Sequence, residues 1–186
     1  PPQAIRHAAA GVAIDGWLDD LRQGDAGWVR LVATASTLVD AKTDVPRHDK
    51  LLDAWVVHLL ANTVKATSSI LIGADATLQL PPLAPDAAAA QLHALFAAVA
   101  EGMCQPLPIA RRTAFAWLIG PAESAPSRAR ARYDRGAYVG QGEVADDACL
   151  AREWPDFAAL HAAGFERWLH LYAPLVAAVN KREASA

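Results

Sequence analysis

Two aspartates and a lysine near the start of the chain have side chains that could catalyse phosphodiester hydrolysis. Asp19 follows Gly16-Trp17-Leu18, and Asp40 precedes Lys42 in the string Leu38-Val39-Asp40-Ala41-Lys42-Thr43. Carboxylate oxygens are ligands that Mg²⁺ prefers, and a nearby lysine can position the water that attacks phosphorus. One interpretation of the sequence is therefore a magnesium-dependent nuclease that uses Asp19, Asp40 and Lys42.

The predicted positions of the strands favour a second interpretation. The strand that returns from the Asp19 hairpin is predicted at 28–34, and a working site needs its second carboxylate and its lysine on that strand. The corresponding stretch, Leu31-Val32-Ala33-Thr34, contains neither. Asp40 and Lys42 fall in 37–46, which is predicted to be a loop. The second interpretation is a nuclease-type hairpin that has no catalytic residues.

A basic cluster later in the chain has the composition of a DNA-binding surface. Four arginines lie in a helix predicted at 127–138, with a tyrosine among them: Arg128, Arg130, Arg132, Tyr133 and Arg135. Three of the arginines share one helical face and could bind phosphates, while the tyrosine could stack on a base. The alternative is a solvated helix face that pairs with acidic residues nearby, namely Asp146, Asp147 and Glu153.

Other catalytic chemistries have no motif in the sequence. The six histidines are scattered singly, without the spacing of a metal site, and G-x-S-x-G, GxGxxG and P-loop strings are absent. Cys104 and Cys149 are too few for a disulfide scaffold and lack metal-ligand spacing, which indicates a reducing cytosol. We therefore predict no catalytic residue, metal, cofactor or small-molecule substrate for this domain.

Length and composition indicate one folded domain of a larger protein. The chain has 186 residues, a formal charge of −3, 53% hydrophobic and 20% charged residues. A slightly acidic chain is not typical of a free-standing nucleic-acid-binding protein, but it is compatible with a DNA contact inside an assembly. No apolar run reaches the roughly 18 residues of a membrane span. The start at Pro1, without methionine, indicates a fragment, with a linker at 1–10 and a frayed tail at 180–186.

Hydrophobic periodicity predicts a small sheet flanked by helices. Strands at 12–18 and 28–34 are predicted to pair as a hairpin, followed by a helix from Leu51 to Leu60 and a second hairpin over 70–80. Helices are predicted at 85–102, 113–118 and 127–138, and the last begins near Pro155. This order is typical of an α/β or α+β fold with a small mixed sheet.

The order of several short motifs resembles the C-terminal domain family of RecC, the gamma subunit of bacterial exodeoxyribonuclease V. The matches extend from about residue 12 to residue 176. They comprise Val12 to Leu21, Leu51 to Leu59, Leu80-Pro81-Pro82-Leu83, Glu101-Gly102-Met103, Gln105-Pro106-Leu107-Pro108, Ala116-Trp117-Leu118, Gly142-Glu143 with Asp146-Asp147, and Tyr172-Ala173-Pro174-Leu175.

This resemblance implies a PD-(D/E)XK restriction-endonuclease-like fold that is catalytically degenerate. Such a domain is expected to be a non-enzymatic scaffold that guides DNA at the fork, together with RecB-like and RecD-like subunits in the bacterial cytoplasm. The Mg²⁺ and ATP of that machinery belong to the parent complex. The active nuclease remains one alternative, because Leu38 to Thr43 matches the hydrophobic-hydrophobic-Asp-x-Lys-Thr string of RecB-like nucleases. A pure protein-interaction module remains another.

Overall fold

The computed structural model describes residues 2–25, 27–134 and 142–182. The chain divides into two compact units: Pro1–Glu101 with Ala178–Ala186, and Gly102–Ala177. The length of the chain had predicted one domain.

The first unit contains two sheets. A two-stranded sheet pairs β1 with β2, and a five-stranded mixed sheet has the order β3-β4-β5-β6-β7. The β4–β5 pair is parallel and the other pairs are antiparallel. The strands are β1 Gln3–Ala9, β2 Val12–Leu18, β3 Leu21–Gly24, β4 Gly27–Ala33, β5 Thr67–Ile72, β6 Thr77–Leu80 and β7 Asn180–Arg182.

The predicted pairing of 12–18 with 28–34 is wrong, although both segments are strands. β2 pairs with β1, which occupies the predicted linker, and β4 pairs with β3 and β5. Ala10 and Gly11 have φ angles of 51° and 76°, and a two-residue hairpin turn requires two left-handed residues of this kind. Asp20 has a φ of 60°, and this left-handed residue separates the extended segments β2 and β3.

Helix α1 (Leu52–Val64), which the periodicity predicted from Leu51 to Leu60, connects β4 to β5, and these two strands are parallel. Its apolar face buries Trp55 and Leu59. β5 alternates between residues that are buried and residues that are partly or well exposed, as expected for a strand covered on one face. The predicted hairpin of β5 and β6 and the predicted helix α2 (Pro85–Gly102) are confirmed.

The end of the first unit differs from the predicted frayed tail. β7 pairs antiparallel with β6, with Lys181 opposite Leu78. Main-chain hydrogen bonds to a central hairpin therefore hold Asn180–Arg182, which hydrophobic periodicity does not reveal in so short a polar segment.

The second unit is helical in its described part. Its α-helices are α3 Arg111–Leu118, α4 Ala125–Asp134, α5 Glu143–Asp146, α6 Ala148–Glu153, α7 Phe157–Ala162 and α8 Ala173–Ala178, and 3₁₀ turns lie at Ala122–Ser124 and Phe165–Leu171. The single helix predicted from Pro155 is divided. Gly164 has a φ of 94°, and Pro174 lies at the start of α8 because the first turn of a helix tolerates a missing N–H.

None of the helices in the described ranges is long and apolar enough to cross a membrane.

Candidate functional site

Asp40 uses its carboxylate to cap its own turn. Oδ1 accepts hydrogen bonds from the N–H of Lys42 and of Thr43, both at 3.0 Å, and from the Thr43 hydroxyl at 3.2 Å. The Lys42 N–H contributes most to holding the pKa of Asp40 below its ordinary value. The main-chain N–H of Asp44 closes the turn by donating to the Asp40 carbonyl at 2.8 Å. The Asp-x-Lys string therefore lies on an ordered turn outside the named strands, as its predicted loop location implied.

A second aspartate fixes this loop to the hairpin of β5 and β6. Asp75 accepts hydrogen bonds from the N–H of Leu38 at 2.7 Å and of Val39 at 3.1 Å. Gly73 allows the close approach, because a Cβ atom there would lie 2.5 Å from Cγ of Leu38. Segment 37–46 is thus held by its main chain, which explains a well-defined structure in a segment with little secondary structure.

Strand β4 carries Arg30 and Val32 at alternating positions near the segment where a nuclease would carry a carboxylate and a lysine. Burial of the guanidinium lowers the pKa of Arg30, and the exposed carboxylates of Asp20 and Asp19 have a smaller, opposite electrostatic effect on it. Within the described residues no group of three or more His, Cys, Asp and Glu side chains could hold a metal ion. Asp19 therefore interacts electrostatically with an arginine. Neither Asp19 nor Asp40 belongs to a cluster of metal ligands among the described residues.

A fully buried polar network connects α1 to β5 and to the segment after β6. Nδ1 of His58 lies 2.9 Å from the Ser69 hydroxyl, and Nε2 lies 3.1 Å from the Pro81 carbonyl. Because that carbonyl can only accept, Nε2 of the neutral ring carries the proton and Nδ1 accepts from Ser69. Burial lowers the pKa of His58 to about 4, so the ring is neutral near pH 7.

Asn62, one turn after His58, completes this network. Its amide nitrogen donates to the carbonyls of His58 and Thr67 at 2.8 and 3.1 Å. Its amide oxygen accepts from the N–H of Thr67 and of Leu83, both at 2.9 Å. The histidine of the family-like Leu51–Leu59 motif therefore has a structural role in the described unit, together with Asn62.

In the second unit, Arg128 stabilises the end of α3. Its guanidinium donates to the carbonyls of Ala116 at 3.0 Å, Trp117 at 3.1 Å and Pro121 at 2.7 Å, and it also contacts the Ser124 hydroxyl. A cation at a helix C-terminus interacts favourably with the exposed carbonyls and the helix dipole. Arg128 is thus occupied by contacts within the unit and is not a free phosphate-binding group.

The predicted DNA-facing set is further reduced by the burial of Tyr133. Its side chain is 0% exposed and its hydroxyl donates to the Trp154 carbonyl at 2.7 Å, so no ring face is accessible to a base. Arg130 is exposed and Arg132 is half-exposed on α4. Arg135, the fourth predicted arginine, lies outside the described residues.

The acidic residues predicted to pair with this arginine cluster have other partners. Asp146 pairs with Arg112 at 2.5 Å, and Glu153 pairs with Arg152 at 2.9 Å. Asp147 caps α6 by accepting from the N–H of Cys149 and of Leu150. Within the described residues these carboxylates form no ion pair with Arg130 or Arg132, so the alternative pairing is not found at these two arginines.

Glu143 is a buried carboxylate that the sequence did not identify as structural. It accepts from the N–H of Arg112 at 2.9 Å and from the N–H and hydroxyl of Thr113 at 2.7 and 2.8 Å. Ala110, at the N-cap of α3, has no side chain that could make these bonds. A residue 30 positions away in sequence therefore caps α3.

The first unit defines the class of the protein as an α/β domain with a mixed five-stranded sheet. The family model of the RecC C-terminal domain matches residues 1–120. The chain belongs to this family, as the order of its motifs predicted. No curated protein matches the chain.

Proposed function

We propose that this chain is a non-catalytic scaffold and DNA-guiding domain of the gamma subunit of exodeoxyribonuclease V. Membership of the RecC C-terminal domain family supports a place in the RecBCD complex. Its partners there are a RecB-like helicase-nuclease and a RecD-like helicase, and its process is DNA unwinding for double-strand-break repair and recombination. ATP and Mg²⁺ serve the parent complex in the bacterial cytoplasm.

The arrangement around β4 is the observation that carries the non-catalytic part of the proposal. We infer a PD-(D/E)XK-like sheet in which β4 has lost the metal ligands. In support, β4 contains no carboxylate and carries Arg30 directly before the stretch 31–34, while the hydrogen bonds to Asp40 hold its own turn. A guanidinium repels Mg²⁺, which makes a metal site beside Arg30 electrostatically unfavourable.

Arg130 and Arg132 support the DNA-guiding part. Both lie on α4 with accessible side chains, and no acidic residue of the described chain forms an ion pair with either. Two such cations can each neutralise one backbone phosphate, which positions DNA without reading its sequence.

A protein-interaction module without DNA contact is the second candidate. Trp17 on β2 is 68% exposed. In the five-stranded sheet, Leu31 on β4 is 41% exposed and Ile72 on the neighbouring strand β5 is 44% exposed. Exposed aromatic and aliphatic side chains of this kind favour contact with a partner protein.

Degradation of linear DNA tests the non-catalytic proposal. We expect that the purified protein leaves single- and double-stranded DNA intact with Mg²⁺ or Mn²⁺. The matched variant is Asp40→Asn, since asparagine keeps the oxygen that caps the turn but removes the charge that a metal needs. Degradation by the wild type that disappears in Asp40→Asn and in Asp19→Asn would establish the active nuclease instead.

DNA engagement by the assembled complex tests the guiding role. We expect the double change Arg130→Gln with Arg132→Gln to weaken DNA binding and to reduce the slope of log K against log salt by up to about 2. Arg152→Gln is the control, because Arg152 is an exposed arginine of the same unit that already pairs with Glu153. Equal binding and equal salt dependence in all three proteins would favour the interaction module.

A further inference from the structure

A cavity in the first unit lies between β4 and the start of α1. It has a volume of about 270 Å³, which corresponds to roughly nine water molecules. Its polar wall consists of two cations, one carboxylate and two hydroxyl groups, from Arg30, Lys50, Asp53, Thr34 and Ser36. Val32 contributes to the apolar wall. Most of the remaining lining is aliphatic, and the cavity is large enough for a small anion beside these few polar groups.

Arg30 is the unusual member of this wall. Its Nε and Nη1 atoms are buried, and no group of the described residues accepts a hydrogen bond from either. Almost all buried polar groups in proteins have a partner, and a charged donor without one costs more than a neutral donor. Burial lowers the pKa of Arg30, but a guanidinium still remains protonated at neutral pH. The cavity thus holds a fixed positive charge whose donors lack protein acceptors.

The acidic groups near Arg30 do not neutralise it directly. Asp19 and Asp20 act on it only through their electric field, and Asp53 lines the same cavity without an ion pair to it among the described residues. By contrast, His58 on helix α1 has a partner for each of its ring nitrogens. His7 and Gln91 of this unit also have a buried polar side-chain atom without a hydrogen-bond partner among the described residues, but Arg30 differs from them because it carries a permanent positive charge.

We propose that this cavity binds a phosphate group of the DNA backbone through Arg30. A guanidinium is a planar group of N–H donors that can bind two phosphate oxygens. Lys50 supplies a second positive charge, and the hydroxyls of Thr34 and Ser36 are additional donors. The choice of DNA as the source of the phosphate rests on the proposed function, whereas recognition of the phosphate itself rests on the cavity.

Binding of inorganic phosphate, measured by titration calorimetry at constant ionic strength, tests the site. We expect Arg30→Gln to reduce phosphate affinity at least tenfold, and Lys50→Gln to reduce it severalfold. Arg22→Gln is the control, because Arg22 is an exposed arginine of the same sheet and is expected to leave affinity unchanged. Circular dichroism verifies that each variant is folded. If Arg30→Gln does not fold, the exposed Lys50→Gln variant tests the site in its place. Wild-type affinity in Arg30→Gln and Lys50→Gln would overturn the proposal, as would failure of the wild type to bind phosphate.

A short oligothymidylate identifies the source of the phosphate. A parallel loss of oligonucleotide affinity in Arg30→Gln supports DNA as the ligand. Loss of inorganic phosphate binding with unchanged oligonucleotide affinity overturns the DNA assignment and indicates a free phosphate. A third outcome separates this inference from the proposed function. If Arg30→Gln has no effect in either titration, this inference is rejected. If the double change Arg130→Gln with Arg132→Gln still weakens DNA binding, the proposed function stands.

Discussion

Polar side chains on two neighbouring elements of the first unit, α1 and β4, differ in whether they have hydrogen-bond partners within the protein. His58 and Asn62 on α1 are completely buried, and each has hydrogen-bond partners of its own chain. Arg30 on β4 has buried donors without an acceptor among the described residues. We infer that His58 and Asn62 stabilise the fold, whereas Arg30 is available for a ligand.

The difference follows from what each environment contains. Asn62 lies where the main chain enters β5 and leaves β6, so carbonyl and N–H groups that need partners surround it. Arg30 borders a cavity whose other polar members include a second cation. A polar side chain that satisfies main-chain groups is needed for folding, and one that borders a cavity without a protein acceptor is not.

Replacement of Asn62 is expected to have the largest effect on stability. Asn62→Ala removes four hydrogen bonds and leaves the N–H groups of Thr67 and Leu83 without their acceptor. We expect the free energy of unfolding to fall by about 3 kcal/mol, measured by urea denaturation. Thr63→Ala is the control on the same helix, because Thr63 donates only to the carbonyl of Leu60 within the helix. A similar small loss in both variants would mean that the network does not stabilise the fold.

Acidification is expected to destabilise the same network through His58. Its pKa is lowered to about 4 in the folded protein, against an ordinary value near 6.5. Unfolded chains therefore bind the proton more readily, and stability that is fully present above about pH 6.5 is lost as the pH falls toward 4. The loss amounts to about 3 kcal/mol.

The measurement is the free energy of unfolding between pH 4 and pH 7, in the wild type and in His58→Gln. His48, whose pKa is also lowered by burial, contributes a slope that both proteins share, so their difference isolates His58. Identical slopes in the two proteins would show that His58 is not buried as a neutral ring.

The elements around the network could be predicted from the sequence, whereas most of the candidate site could not. Leu51, Trp55 and Leu59 recur at helical spacing, so α1 was predictable, and alternation made β5 and β6 predictable. The pairing of β2 was missed because Ala10 gives no signal for its positive φ angle. This error concerns which strands pair, and local periodicity contains no information about strand pairing.

Single residues whose roles depend on distant partners were also missed. Glu143 caps a helix 30 positions away, and the partners of Arg128 are mainly carbonyls of a preceding segment. Arg30 did leave a signal, since an arginine within the apolar run from Trp28 to Val32 must either find a partner or face a cavity. Tyr133 gave none, because an aromatic residue between arginines fits a base-stacking role and a buried role equally well.

A smaller loss of stability is expected at the buried carboxylate of the second unit. Glu143→Gln places an amide N–H₂ near donors of Arg112 and Thr113, so at least one hydrogen bond to the start of α3 is lost. We expect the free energy of unfolding to fall by about 2 kcal/mol, while exposed Glu123→Gln changes it little. Equal effects of the two substitutions would show that the hydrogen bonds of Glu143 to the start of α3 do not stabilise the protein.

The smallest effect on stability, and the most informative one, is expected at Arg30. Arg30→Gln removes a charge whose donors have no acceptor in the described protein, so we expect the free energy of unfolding to change by less than about 1 kcal/mol. Binding of a ligand to the folded state alone raises this free energy by about 1.4 kcal/mol at ten times its dissociation constant. Phosphate should therefore stabilise the wild type and not Arg30→Gln.

The role of Arg30 is tested most directly by the increase in the free energy of unfolding that phosphate produces in three proteins, with chloride at equal ionic strength as the reference. We expect an increase in the wild type, the same increase in Asn62→Ala from a lower starting stability, and none in Arg30→Gln. An equal increase in all three proteins would contradict the assignment of Arg30 as the ligand-binding group.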